Sequence, residues 1–394
     1  MNDLKDIRRH AMPSIPRRRL VRCLAASAML AAAAAWGRAS DFPARPVTLL
    51  VPFSAGGATD GIVRHLADLA GRALGQPVIV DNKPGAGGVL GANQLVHSAP
   101  DGYTLSILPE TVFRLPHLQK MQFDPLRDFS YVIHLSGYAL CIATRRDAPW
   151  TDWAAVVADA KARPGQISYG TTGMNSTMHL TVEKMAQLSG IELNHVPYKG
   201  ESEIIAALMG GHIDLGITAG SIVPLVDDGK ARVLVSRHRS DVVGCAQPSE
   251  RSARRIAQPI PSVLASDATP RYASMASADR QMIGDATPVL WTARRVPRWP
   301  DVPTLRDIGL DMVATSPFGI AGPRNLPPAV VKTLHDAFRK ALDAPVTQAL
   351  LERLNQESAY LDSAAYAAFA RERFEAARRQ VARMSPSPGQ TRHQ

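Results

Sequence analysis

From Val47 onward, short aliphatic runs alternate with amphipathic helical stretches, and the alternation occurs twice. "VTLLVPF" reads as a buried strand. "GIVRHLADLAGRAL" sets Ile62, Val63, Leu66, Leu69 and Ala70 at the spacing of one helix face. "PVIVDN" is the next strand, "GVLGANQLVHSA" the next helix and "YTLSIL" the strand after it. A βαβαβ order joins neighbouring strands by long crossovers, so it predicts a parallel sheet with helices on both faces. Near Trp150 the order starts again. "WAAVVADAKAR" is a helix, "ISYGTT" a strand, "TMHLTVEKMAQLSG" a helix, "LNHVPYK" a strand, "ESEIIAALMGG" a helix and "IDLGIT" a strand. Helices are expected over "PPAVVKTLHDAFRKALDAP" and "YAAFARERFEAARRQVARM". The predicted fold class is α/β with two units, each a mostly parallel sheet flanked by helices.

In such sheets ligands bind beyond the carboxyl ends of the strands. The first strand ends there in "VPFSAGGATDG", Val51 to Gly61, a loop with glycines and hydroxyls and no lysine or arginine. The second unit repeats the design in "YGTTGMNSTMHL", with a helix expected near Thr177 and Ser176 as its N-cap candidate. Asp60 falls in the first turn of the other helix, where a carboxylate is favourable. A helix start carries about half a positive charge and up to four unpaired N–H donors. It can therefore hold a carboxylate without a basic side chain. For one loop alone, an ordinary strand-to-helix turn is an equal reading. Two in corresponding places point to a clamp on a small anion across a cleft.

The 394 residues suffice for two ordinary domains. The formal net charge is +10, but the excess is concentrated at Arg8, Arg9, Arg17, Arg18, Arg19 and Arg22, in a later segment and in the tail. No nucleic-acid partner is expected, since no basic and aromatic groove or zinc finger accompanies that charge. Residues 1–39 read as a cleaved export signal: "RRRLVR", then the apolar "CLAASAMLAAAAAW", then small residues at Gly37 and Ala39. Cleavage is expected after Ala39, which places the mature protein in the periplasm. The alternative, a membrane anchor, needs an apolar run of about 20 residues. Ordinary and twin-arginine export fit equally. Of Cys23, Cys141 and Cys245, the last two remain after cleavage, and Cys141 in "YALCIAT" reads as a buried thiol without a disulfide.

Catalysis is not expected. Ser54 is not in a G-x-S-x-G elbow, and neither G-x-G-x-x-G nor G-x-x-x-x-G-K-[ST] stands at a strand–helix junction. No His/Cys/carboxylate cluster has metal-ligand spacing. Hence no catalytic residue, cofactor or metal is assigned.

Four segments, "RPVTLLVPFSAGGATD", "GQPVIVDNKPGAGGVLGANQLVHSAPDGYTL", "VPYKGESEIIAALMGGHID" and "WPDVPTLRDIGL", share their order and spacing with one family. The chain resembles the tripartite tricarboxylate transporter substrate-binding proteins, or Bug-type receptors. The resemblance implies a two-domain, type II periplasmic-binding-protein fold of the Venus-flytrap kind. It implies capture of a small carboxylate, a di- or tricarboxylate, an acidic amino acid or an aromatic acid. The partners it implies are that ligand and either the membrane components of a tripartite transporter or a sensor protein, with the receptor a monomer. The implied boundaries are domain 1 over 40–140 and 316–384, domain 2 over 141–315, and a disordered tail over 385–394. Two hinge crossings are expected, near Ser136–Thr144 and Ala314–Ile320.

Carried over by position, the first loop contributes Phe53, Ser54, Gly56, Gly57, Ala58, Thr59 and Asp60 to the ligand site. Gly57, Ala58 and Thr59 would donate N–H groups, and Phe53 would pack on the ligand carbons. The second loop contributes Thr171, Thr172, Gly173, Ser176, Thr177 and His179. Tyr198 and Lys199 would lie near the cleft, and Ala219, Gly220 and Ser221 would help set specificity. His179 reads first as a packing or capping residue, Asp60 as a stabiliser of its helix start, and Lys199 equally as a solvated strand end. "ITAGSIVP" lacks the Asn that members commonly carry there. The family pattern is interrupted between "GKARVLVS" and "TPVLWTARRVPRWPDVPT", two stretches that resemble the same strand. Residues 239–287 between them read as an unstructured insertion, an out-of-frame stretch or, less readily, a basic partner-binding arm, and only one strand copy is expected to enter the sheet. An insertion there could also leave the protein without function.

Overall fold

The computed structural model describes residues 42–137, 140–236, 299, 301–305, 307–309, 316–354 and 356–384. The expected export signal, the 239–287 segment with Cys245 and the 385–394 tail lie outside the described residues. So do Tyr138, Ala139 and residues 310–315 at the two expected hinge crossings.

β1 (Val47–Val51) is buried at every position but Thr48, as a central strand covered on both faces should be. It pairs in parallel with β2 (Val78–Asn82) and with β3 (Thr104–Pro109). The crossovers are α1 (Ala58–Leu74) and α2 (Leu90–Val96). α1 buries Ile62, Val63, Leu66 and Ala70, and Gly75 ends it in the left-handed conformation that favours glycine. After the short α3 (Thr111–Arg114), β4 (Phe129–Gly137) joins the same sheet. The sheet is completed by β10 (Pro317–Pro323) and β11 (Glu357–Leu361), giving the order β11-β4-β10-β3-β1-β2. α8 (Pro328–Asp343) packs on α1, and α9 (Pro345–Arg353) and α10 (Ser363–Met384) follow.

The second sheet has the order β7-β6-β8-β5-β9. It is built from β5 (Cys141–Arg145), α4 (Trp153–Ala162), β6 (Ser168–Thr171), α5 (Thr177–Ser189), β7 (Asn194–Pro197), α6 (Glu201–Met209), β8 (Leu215–Thr218), α7 (Val223–Asp227) and β9 (Ala231–Ser236). Trp150, Trp153, Tyr169, Val182, Met185 and Leu215 form the centre of its core. Cys141 is free and buried, its thiol pushed up to about 12 by burial. The first of the two similar strand segments, in "GKARVLVS", forms β9, and the second, in "TPVLWTARRV", lies outside the described residues.

Both sheets are mixed. Parallel pairing is confined to the βαβ units, β2-β1-β3 and β7-β6-β8. β10, β4 and β11 pair antiparallel in the first sheet, as β5 does with β8 and β9 in the second. The sequence rule for crossovers applies only where a helix links neighbours. β4 instead leads almost directly into β5, and β10 returns from the other sheet, so neither direction is set by a crossover. The described residues from Arg45 onward form one compact unit containing both sheets.

Candidate functional site

The loops after β1 and β6 face one another. Between them, a cavity of about 40 Å³ is lined from the first sheet by Phe53, Ser54, Gly57, Ala58, Thr59 and Asp60, with Gly87, Pro109, Glu110 and Thr111. From the second sheet it is lined by Thr172, Ser176, Thr177, Met178, Glu201 and Ala219, and Ser316 closes the wall. α1 and α5 both begin at this cavity.

Each loop is held by its own polar set. In the first, the Asp60 carboxylate accepts from Gly56 N–H at 3.0 Å, Arg64 Nε at 2.9 Å and Asn82 Nδ2 at 2.8 Å. Burial alone would raise its pKa, but the hydrogen bonds from Arg64, Gly56 and Asn82 and the Arg64 charge bring it below the usual value. Asn82 also donates to the Phe53 carbonyl at 3.0 Å, tying the loop to β2. In the second loop, Ser176 caps α5 by accepting from His179 N–H at 3.1 Å. His179 Nδ1 in turn accepts from Asn175 N–H at 3.2 Å, which requires that nitrogen to be unprotonated. His179 stacks on His195 at 4.2 Å, and His195 Nε2 lies 2.7 Å from Thr171 Oγ1. Burial lowers both imidazole pKa values; that of His195 falls to about 4, with His179 assisting.

Several residues selected from sequence lie behind the cavity wall. The Gly56 N–H is taken by Asp60. Thr171 is buried between Gly173 and His195. Gly173, at φ 121°, packs so closely on Gly87 that an added Cβ would sit 3.4 Å from its Cα. His179 is occupied by the cap and the His195 stack, and the Tyr198 ring lies against Gly170 of β6. Ser221 points to a side chain, and Lys199 is exposed.

That side chain is Glu201, the first residue of α6, at 7% exposure. Its Oε2 accepts from Ala58 N–H at 3.2 Å and from Ser221 Oγ at 2.9 Å, and its Oε1 accepts from Ala219 N–H at 2.6 Å. One N–H of the first loop, that of Ala58, thus meets a carboxylate of the chain itself, which Ala219 and Ser221 of the second sheet hold from the other side. Burial raises the Glu201 pKa, and these donors offset part of the rise. Two further bonds run from the first loop to α6: Ser54 Oγ donates to Glu203 Oε1 at 2.8 Å, and Ser202 Oγ donates to the Ala55 carbonyl at 2.9 Å.

Glu110 and Arg114 also escape sequence reading. Arg373 binds Glu110 through Nε and Nη2, at 3.0 and 2.6 Å from its Oε1. Buried Arg114, 4.0 Å from Glu110, donates across the cleft to the Asn175 carbonyl at 3.0 Å and to Thr177 Oγ1 at 3.4 Å. Glu110 and Arg114 stand four apart, but their partners Arg373 and Asn175 lie 263 and 61 positions away, so no local spacing reveals those contacts. Glu201 and Glu203 look in the sequence like the acidic first turn that many helices carry. At the start of α5, the Thr177 and Met178 N–H groups have no acceptor among the described residues. Among the described residues, no Lys, Arg or His lines the cavity. Among the described residues, no cluster suits a metal ion, and no helix is long and apolar enough to cross a membrane.

The sequence model of the family described as "Tripartite tricarboxylate transporter family receptor" matches residues 62–271 and 280–385. The chain belongs to this family of solute-binding receptors, which are not enzymes. The stretch left out, 272–279, lies within the 239–287 segment. The chain is 38% identical over 343 residues to the "UPF0065 protein in gbd 5'region" of Cupriavidus necator, covering 87% of this chain and 88% of that protein. Two solved structures from Rhodopseudomonas palustris share the fold. Rpa4515 with adipate has TM-score 0.68 and 24% identity, covering 87% of this chain and 96% of that one. MatC with bound malate has TM-score 0.66 and 23% identity, covering 86% and 100%.

Proposed function

We propose that this protein is a periplasmic receptor that captures a small carboxylate between its two sheet-bearing domains and delivers it to a tripartite tricarboxylate-type membrane transporter. The observation that carries the reading is the cavity at the starts of α1 and α5, where Thr177 and Met178 offer N–H groups with no acceptor among the described residues. Such a pair at a helix start suits an oxyanion and needs no cation. The family membership and the acids in MatC and Rpa4515 support the same class of ligand. Of the sequence-selected residues, Phe53, Ser54, Gly57, Thr59, Thr172, Ser176 and Thr177 are the proposed contacts.

The cavity is walled by residues of both sheets, so closure over a solute follows from the solute's preference for the closed form. The proposed division is 40–140 with 316–384 against 141–315.

The test is a thermal-shift screen of the mature chain, Ser40 onward, against small carboxylates. A ligand at one hundred times its Kd stabilises by about 2.7 kcal/mol. Thr177→Pro should abolish that shift while keeping the fold. Proline removes the N–H at the first helical position, where it is otherwise well tolerated. A clean melt that no acid moves would refute the reading.

A further inference from the structure

At the start of the 17-residue α1, three donors converge on one point: the Ala58 N–H from the first loop, and the Ala219 N–H and Ser221 hydroxyl from the segment after β8. Glu201 already fills that place, with both carboxylate oxygens engaged. Its neighbour Glu203 engages the rest of the loop through Ser54. The other carboxylates on the wall are neutralised, Glu110 by Arg373 and Asp60 by Arg64. None of the donors to Glu201 is a cation. Opposite, the Thr177 and Met178 N–H groups at the start of α5 have no acceptor among the described residues. Phe53, Pro109 and Met178 supply apolar cover between the two.

We infer that Glu201 is the chain's own occupant of one of two carboxylate seats, and that the solute is in consequence a small monocarboxylate and not a dicarboxylate. The inference rests on the carboxylate-capture reading above. The acid group of the solute sits at the start of α5, and its remainder, uncharged or bearing an ammonium group, lies on Phe53 and Met178 toward Glu201. A second carboxylate at that end would be driven against a buried anion on a wall without a cation. Specificity is thus set by a repulsive element as well as an attractive one.

The experiment titrates the mature protein and Glu201→Ala with butyrate, benzoate, malate and adipate, and melts both proteins in rising acetate. The wild type should bind a monocarboxylate at least about tenfold more tightly than either dicarboxylate. Glu201→Ala empties a carboxylate-sized seat with its donors in place. Its lowered melting temperature should climb saturably with acetate but not with chloride, and its preference against dicarboxylates should shrink by about tenfold. Wild-type protein that binds malate or adipate as well as the monocarboxylates overturns the inference and leaves the receptor reading intact. Acetate that moves both proteins alike, or neither, also overturns it. No binding of any acid by either protein overturns the receptor reading itself. If Glu201→Ala does not fold, the wild-type panel decides alone.

Discussion

Gly200 marks one close approach of the two halves. It precedes α6, and a Cβ there would sit 2.8 Å from both Cβ and N of Ser54, in the first loop of the other sheet. Its own backbone is extended, at φ −173°, so alanine causes no strain within its segment. The clash is purely between the two halves. An ordinary contact needs close to 3.5 Å or more, so the loops must part by roughly 0.7 Å or the backbone must deform. Overpacking of this kind costs about 1–3 kcal/mol. At 1.4 kcal/mol per factor of ten, the closed form of Gly200→Ala loses about 5- to 140-fold in population. The melting transition of each half should change little, because neither core is touched. Small-angle scattering should give a larger radius of gyration than for wild type, and affinity for the acid should fall by the same factor. Gly61→Ala, where an added Cβ meets nothing within 4 Å, is the control and should leave both unchanged. Unchanged scattering and affinity within twofold in Gly200→Ala would refute the idea that this contact is a closure interface.

Acid should loosen the second loop. His179 and His195 hold pKa values below 6.5, with Glu183 the one facing carboxylate, so the unfolded chain takes up protons first as pH falls. Their contribution is complete above about 6.5 and is lost as pH drops toward 4, by about 1–2 kcal/mol after solvent screening, which denaturant melts at pH 7 and pH 5 would measure. Glu110→Ala leaves Arg373 and Arg114 without their carboxylate and should cost about 3 kcal/mol in chemical denaturation. Ser176→Ala removes the α5 cap and should cost about 1 kcal/mol in the same assay.

The elements were most legible where one pattern decided them. The apolar face of α1, the loop ending at Gly57 and the cap at Ser176 all follow from local spacing and local chemistry. "ESAYL" of β11 has too little alternation to announce a strand, and its place beside β4 is set by tertiary pairing. Strand direction was legible for β1, β2 and β3, which helices link, and not for β10, which returns from the other sheet. In the site, the cation-free loop was readable as a carboxylate holder. Which carboxylate it holds was not, because Glu201 meets Ala58 across 143 positions. Tyr198 and His179 sit beside the cavity in sequence but turn into the second sheet, a choice made by packing against Gly170 and His195.

The central claim is that the cleft recognises a carboxylate through neutral donors at the start of α5. The most direct measurement is calorimetric titration of the mature protein with an acid found in the screen and with its primary amide. The amide keeps the size and shape but sets N–H groups against the Thr177 and Met178 donors, so it should bind at least about tenfold more weakly. Equal affinity for acid and amide would contradict the account.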